Sequence, residues 1–206
     1  MEAKVESVVV TRTGQAAAGA PLLAILYDPA AYMRAAQQKL PMSHALIAVA
    51  AACFFQILSV LVMRSPSADF SAFALTAGLF IDIAGKATLL LFVAIVTHFF
   101  ASSLSGASKG WKLFSLFLSC QLPLLFILPA AFLARGLASS SWFLYFFFAA
   151  LLVFWSWALM IVAVKETYGI PALRAVGVFV FPAILFVAGS ATLIWTLFFR
   201  IMLALS

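Results

Sequence analysis

The stretch SHALIAVAAACFFQILSVLVM, residues 43–63, decides the fold class. It contains no charged side chain, and residues that break helices or carry charge bound it, with Pro41 before it and Arg64 and Pro66 after it. A helix needs about 20 consecutive apolar residues to cross the roughly 30 Å hydrocarbon core of a bilayer. This stretch is therefore predicted to span a membrane.

The composition of the whole chain extends this prediction. The chain has 206 residues, of which 67% are hydrophobic and 9% charged, and its mean hydropathy is +1.20. Soluble domains are about 45–50% apolar and about 25% charged, so both an ordinary cytosolic fold and a disordered chain are excluded. The net charge of +6 is distributed between long apolar runs. A nucleic-acid partner is not expected, because such binders concentrate Lys and Arg on one face.

Four further apolar runs are long enough to cross a bilayer, and prolines are expected to bend the third span. We predict an all-α polytopic bundle of five transmembrane helices, at about 43–63, 79–100, 113–133, 142–164 and 175–198. Residues 1–25 are expected to form a flexible cytoplasmic arm, and residues 26–206 one membrane domain.

Lys and Arg are divided unequally between the two sides of this arrangement. Eight lie on the side of the N-terminus and three on the other: Lys4, Arg12, Arg34, Lys39, Lys109, Lys112, Lys165 and Arg174 against Arg64, Arg135 and Arg200. Because cytoplasmic loops carry the excess of these residues, we predict a cytoplasmic N-terminus and an external C-terminus.

A short amphipathic helix is predicted before the first span, from Pro29 to Leu40. Asp28 can cap it, and proline suits the first helical position, where the N–H would be unpaired in any case. At 100° per residue Tyr32 and Met33 fall in one apolar sector. We expect this helix to lie flat at the level of the lipid headgroups.

Two opposite charges, Asp82 and Lys86, fall inside the second apolar run. They are four residues apart, so on a helix they face the same way and can pair. If the span starts near residue 79, the pair lies inside the bilayer, where charges indicate a pathway or a site. If the span starts near residue 84, the pair is only an anchor at the headgroups.

Signatures of catalysis and of metal binding are not found in the sequence. The two histidines and two cysteines have no metal-ligand spacing, and no pattern nominates a nucleophile with its base. We therefore predict a protein that is not an enzyme, with no catalytic residues, no metal and no cofactor.

Three features are predicted on the cytoplasmic side. The first is the helix start at Asp28 and Pro29, and the second is the loop between spans two and three. The third is the turn between spans four and five, in which Gly169 stops one helix and Pro171 starts the next. We expect Glu166, in that turn, to be solvated or to pair with Arg174, Lys109 or Lys112. The candidate residues of this motif are Asp28, Pro29, Gly106, Lys109, Gly110, Glu166, Tyr168, Gly169 and Pro171.

In this order, the three features resemble the Yip family of Ypt/Rab-interacting membrane proteins and their bacterial relatives. The matching pieces are Tyr27-Asp28-Pro29, residues 106–111, and residues 165–171 with Arg174. The resemblance implies a membrane adaptor that contacts its partners through the cytoplasmic side and the spans. The arm is short and lacks the acidic, Gly-Pro-containing segment of eukaryotic members, which argues against a small GTPase as partner. The chain is most similar to the compact bacterial members of the inner membrane.

Two functions follow as hypotheses. The first is a non-enzymatic protein that organises membrane partners or lipids, in trafficking or in the envelope, through its cytoplasmic face. The second is a small transporter, for lipid, protons or ions, in which Asp82 and Lys86 line the pathway. Contacts with membrane lipids are expected in both cases, and the apolar spans permit a homodimer.

Overall fold

The computed structural model describes residues 24–39, 42–63, 72–106, 109–137, 141–182 and 184. Within these ranges the chain is helical and contains no strand. The helices are α1 (Ala24–Tyr27), α2 (Pro29–Lys39), α3 (Met42–Met63), α4 (Ala72–Ser105), α5 (Gly110–Ser119), α6 (Ile127–Leu137), α7 (Ser141–Tyr168) and α8 (Ala172–Pro182). A 3-10 segment, Leu122–Phe126, joins α5 to α6.

Four helical segments of the described chain are long and apolar enough to cross a membrane. They are Met42–Met63, Leu75–Ser105, Gly110–Leu137 and Ser141–Tyr168. These correspond to the first four predicted spans and confirm an all-helical architecture with transmembrane character. The fifth predicted span, 175–198, is represented only by the short apolar helix α8. Its remainder, apart from residue 184, lies outside the described residues, as do residues 1–23 of the predicted arm.

The second span differs most from its predicted bounds. Helix α4 has 34 residues, which corresponds to about 50 Å at about 1.5 Å per residue. It starts seven residues before the predicted residue 79 and ends after the predicted residue 100. The difference arises because the predicted bounds were set by the number of residues needed to cross the membrane. The helix itself continues on both sides until a residue ends it. Between Ala72 and Ser105 the chain contains no proline.

The third span is bent, as its prolines predict. Pro123 has no N–H to donate to the carbonyl four residues earlier, and its ring crowds that carbonyl. The α-helix accordingly stops at Ser119 and resumes at Ile127, with the 3-10 segment between them. Backbone that is not α-helical is tolerated at membrane depth where protein covers it, and Leu122, Pro123 and Leu124 are all buried.

This bent span forms the centre of the bundle. In its apolar window 67% of the residues are buried inside the protein, compared with 11% in that of the second span. Helix α3 packs along α4, α5, the 3-10 segment and α6, and α7 also packs against all three parts of this central span. The second span therefore lies at the periphery of the described bundle.

Helix α2 lies against one end of the bundle, which is called the near end below. Its Tyr32 and Met33 side chains are buried, and the helix packs mainly on α7, with a smaller contact to α5. The sequence prediction assigned this sector to the lipid headgroups. That assignment is wrong for these two side chains, because the ends of α7 and α5 cover them.

The opposite end of the bundle, the far end, is held by two polar contacts. Arg135 on α6 donates a hydrogen bond to the carbonyl of Val62 in the last turn of α3, where helical carbonyls have no intrahelical partner. The hydroxyls of Ser59 on α3 and Tyr145 on α7 lie 2.8 Å apart, within hydrogen-bonding distance, and both residues are buried. These contacts fix α3, α6 and α7 relative to one another.

Candidate functional site

Asp28 and Pro29 begin helix α2 as the sequence predicts. The Asp28 Oδ1 atom accepts a hydrogen bond from the N–H of Ala31 at 3.1 Å, which is the geometry of an N-cap. Pro29 occupies the first helical position. Burial raises the pKa of the Tyr32 phenol, an effect that the Ser119 side chain partly offsets. Tyr32 therefore stays neutral where α2 meets the bundle.

Glu166, in the last turn of α7, is the acidic centre of the near end. Its carboxylate lies 3.7 Å from Nε of Arg34 on α2 and 3.4 Å from Nζ of Lys165. The sequence predicted that Glu166 is solvated or pairs with Arg174, Lys109 or Lys112. The structure contradicts these expectations. Arg34 takes the place because α2 packs across the end of α7, and only 15% of the Glu166 side chain is exposed.

The loop between the second and third spans also reaches the end of α7. The Lys109 ammonium donates a hydrogen bond to the Thr167 carbonyl at 3.1 Å. This carbonyl belongs to the last turn of a helix, where cations are favourable because the partial charge of the helix end is negative. Lys109 thus ties the start of the third span to the end of the fourth.

Gly110, the first residue of α5, lies directly against His98 of α4. A Cβ atom at this position would lie 2.9 Å from Cδ2 of His98. The other side of the His98 ring is fixed, because its Nδ1 is hydrogen-bonded to the Tyr168 hydroxyl. His98 was not among the predicted residues of this motif, since its position 70 residues from Tyr168 gives no local signal.

Two glycines with positive φ end the long helices at this end. Gly106 follows α4 with φ +68° and donates its N–H to the Ser102 carbonyl at 2.7 Å. Gly169 follows α7 with φ +64° and donates to the Lys165 carbonyl at 2.9 Å. This left-handed conformation favours glycine and terminates helices. Pro171 then immediately precedes α8, so the predicted stop-and-start turn is formed.

The structure therefore brings three segments that are distant in sequence to one surface, the near face. This face consists of Asp28 and Arg34 with α2, Lys109 before α5, and Lys165 and Glu166 at the end of α7. The α2 and Lys109 segments both contact the end of α7 directly. The arrangement is a charged surface built from segments that lie far apart in the sequence.

The charge pair of the second span is found at a separate place. Lys86 Nζ lies 3.0 Å from Asp82 Oδ2, hydrogen-bonds Oε1 of Gln56 on α3, and lies 3.6 Å from the Cys53 sulfur. The side chains of Lys86 and Asp82 are 20% and 36% exposed. The pair is therefore part of a polar contact between α3 and α4 rather than an isolated surface anchor.

The height of this pair in the bundle follows from its contact with Gln56. Helix α3 has 22 residues and ends at Met63, so Gln56 lies about 10 Å from the far end of α3 at about 1.5 Å per residue. The whole of α3 is about as long as the hydrocarbon core is thick. Lys86 reaches the same level because it hydrogen-bonds Gln56.

Comparison with known protein families, with curated proteins and with solved structures finds no match to this chain. Among the residues that the structure describes, no group of three or more His, Cys, Asp or Glu side chains could hold a metal ion.

Proposed function

We propose that the chain is a non-enzymatic integral membrane protein that organises membrane partners through the near face. The observation that carries this proposal is the convergence of α2, the Lys109 segment and the end of α7 on one charged surface. A transporter would require no such surface, whereas an adaptor gains affinity when the side chains that bind its partner are already placed.

The proposal includes the orientation of the chain, with the N-terminus and the near face in the cytoplasm. Six cations of the described chain belong to segments at the near end: Arg34, Lys39, Lys109, Lys112, Lys165 and Arg174. At the far end the described residues include only Arg135, which caps α3. This asymmetry agrees with the excess of Lys and Arg in cytoplasmic segments. The inner membrane of a bacterium is the proposed location.

Membership of the Yip family is part of the same proposal. Its support is the order of the three motifs and their meeting at α7, which gives each motif a common role in building the near face. Glu166, Tyr168, Lys109 and Gly110 all contribute side-chain or close backbone contacts there.

A photocrosslinking amino acid tests the proposed function. Placed at Trp111, which is 67% exposed beside the near face, it is expected to form a discrete adduct with a partner in the native membrane. The matched control is Phe146, an aromatic residue that is 62% exposed near the far end of α7 and is expected to yield no such adduct. Glu166→Ala should reduce the Trp111 adduct about fivefold, or ~1 kcal/mol, in protein that still inserts.

Either of two results would contradict the proposal. One is the lack of any adduct from position 111 in folded, inserted protein. The other is the same adduct, in similar yield, from position 146.

The contact of Lys86 with Asp82 and Gln56 favours a second candidate function, a small transporter of lipid, protons or ions. Charges at this depth in a membrane protein mark pathways as well as structural pairs, and the neighbouring central span is broken, as are the spans that form binding sites in many transporters. Flux into liposomes that depends on Asp82 would support this alternative.

A further inference from the structure

We propose that the near face binds the phosphate headgroup of an anionic phospholipid of its own membrane, at the last turn of α7. This inference rests on the proposed function and gives the chemistry of one partner. It assigns the site to Lys165, which lies in that turn, and to Arg34 and Lys109, which reach it from two other segments.

The first argument is the local charge. Three cations lie at the last turn of α7, and the Glu166 carboxylate contacts two of them, Arg34 and Lys165. Lys109 is bound to the Thr167 carbonyl and offsets the negative end of the helix dipole. The turn therefore keeps an excess of positive charge, and each Lys or Arg near a membrane surface attracts anionic lipid by about 1 kcal/mol.

The second argument is the geometry of Arg34. Its Nε contacts the Ala30 carbonyl at 3.3 Å and the Glu166 carboxylate at 3.7 Å. Its two terminal nitrogens have no hydrogen-bond partner among the described residues, and 67% of the side chain is exposed. Two parallel N–H donors match two oxygens of a phosphate. Glu166 and Ala30 thus hold the guanidinium by one edge and leave the other edge for a ligand.

A third observation concerns Gln37, a residue close to Arg34 whose hydrogen-bond donor lacks an acceptor among the described residues. The side-chain amide nitrogen of Gln37, three residues further along α2, is buried and has no hydrogen-bond partner among the residues described. Positions three apart on a helix are neighbours on its surface. Buried polar groups without a partner are rare in native proteins, so this part of α2 has one donor whose acceptor is not among the described residues.

The surroundings favour a lipid over a soluble anion. Trp111 lies two residues from Lys109 and is 67% exposed, and Tyr27 precedes Asp28 and is 74% exposed. Tryptophan and tyrosine concentrate at the interface between membrane and water. These side chains place the cations at the height of the headgroups, where phosphate is abundant.

Lys112 and Arg174 provide a matched control. Both are exposed at the near end and carry the same charge, but neither forms a side-chain hydrogen bond or an ion pair with the last turn of α7 in the part of the chain that the structure describes. If only the general positive charge of this end mattered, removing these two cations would have the same effect as removing Arg34 and Lys165.

The experiment measures lipid retention by the purified full-length protein in detergent, by native mass spectrometry. Phosphatidylglycerol and phosphatidylcholine with identical acyl chains are the probes. The wild type is expected to retain phosphatidylglycerol preferentially. The double variant R34Q/K165Q should lose about tenfold in apparent affinity, ~1.4 kcal/mol, whereas K112Q/R174Q should lose less than about twofold. If the double variant fails to fold, Lys165→Gln alone, at a side chain that is 46% exposed, should show an intermediate loss.

Three results would overturn the inference. Equal losses in the two double variants would mean general charge rather than a site, and equal retention of the two lipids by the wild type would exclude headgroup selection. Displacement of bound lipid by glycerol phosphate at similar concentration would assign the site to a soluble anion. If the lipid measurement fails while the crosslinked adduct at position 111 persists, only the lipid site is contradicted and the proposed function stands. If the adduct is also absent, the proposed function is contradicted as well.

Discussion

Gly110→Ala is expected to destabilise the protein by about 1–3 kcal/mol, the usual cost of forcing an extra carbon into a packed site. The added Cβ would lie 2.9 Å from Cδ2 and 3.2 Å from Cγ of His98. The ring cannot rotate away freely, because its Nδ1 is hydrogen-bonded to Tyr168. The substitution should therefore separate the start of α5 from α4, and it should lower the midpoint of thermal unfolding in detergent.

Two further variants make this prediction specific. His98→Ala removes the ring that the new methyl group meets, so Gly110→Ala should cost almost nothing in that background. This non-additivity is the signature of two residues in contact. Gly136→Ala on α6 is the matched control, since no atom lies within 4 Å of the position of its Cβ. A Gly110→Ala cost that is unchanged by removal of His98, or equal to that of Gly136→Ala, would contradict the contact.

Lys86→Met is expected to destabilise the protein by about 2 kcal/mol, less than the 3–5 kcal/mol of a fully buried pair because Asp82 is 36% exposed. The substitution leaves the Asp82 carboxylate and the Gln56 amide oxygen without the ammonium that now contacts both. The double variant D82N/K86M removes both charges and should recover to within about 1 kcal/mol of the wild type.

The same variants separate a structural pair from a transport pathway. If the near face carries the function, liposomes with wild type or with D82N/K86M should show equal, background flux of labelled lipid and protons. Flux that requires Asp82, in protein whose stability is recovered in the double variant, would instead support the transporter.

The helices were predictable where a local signal ends them. Helix α3 has nearly its predicted bounds, because proline and charged residues flank the apolar run. Helix α7 continues beyond the predicted residue 164 to Tyr168, because its stop is the positive φ of Gly169 and not the polarity of Lys165 and Glu166. Hydropathy alone gives the membrane-spanning part of a helix and not its end.

The candidate site was predictable only in its local parts. The Asp28 cap and the Gly169 turn depend on neighbouring residues, and both are formed. The contact of Lys109 with Thr167 joins residues 58 apart, and the contact of Arg34 with Glu166 depends on how α2 crosses α7. Such contacts depend on how the helices pack against one another. The spacing of residues along one sequence does not predict that packing.

Thiol labelling at the two ends of α7 tests most directly that the near face is cytoplasmic. Cysteine is placed at Lys165 in one variant and at Phe143 in another, positions that are 46% and 75% exposed. The native Cys53 and Cys120 are buried, so the wild type is the unlabelled control. A membrane-impermeant maleimide should label Lys165→Cys only in inside-out vesicles and Phe143→Cys only in intact cells. The reverse pattern would place the near face outside the cell and contradict its proposed role.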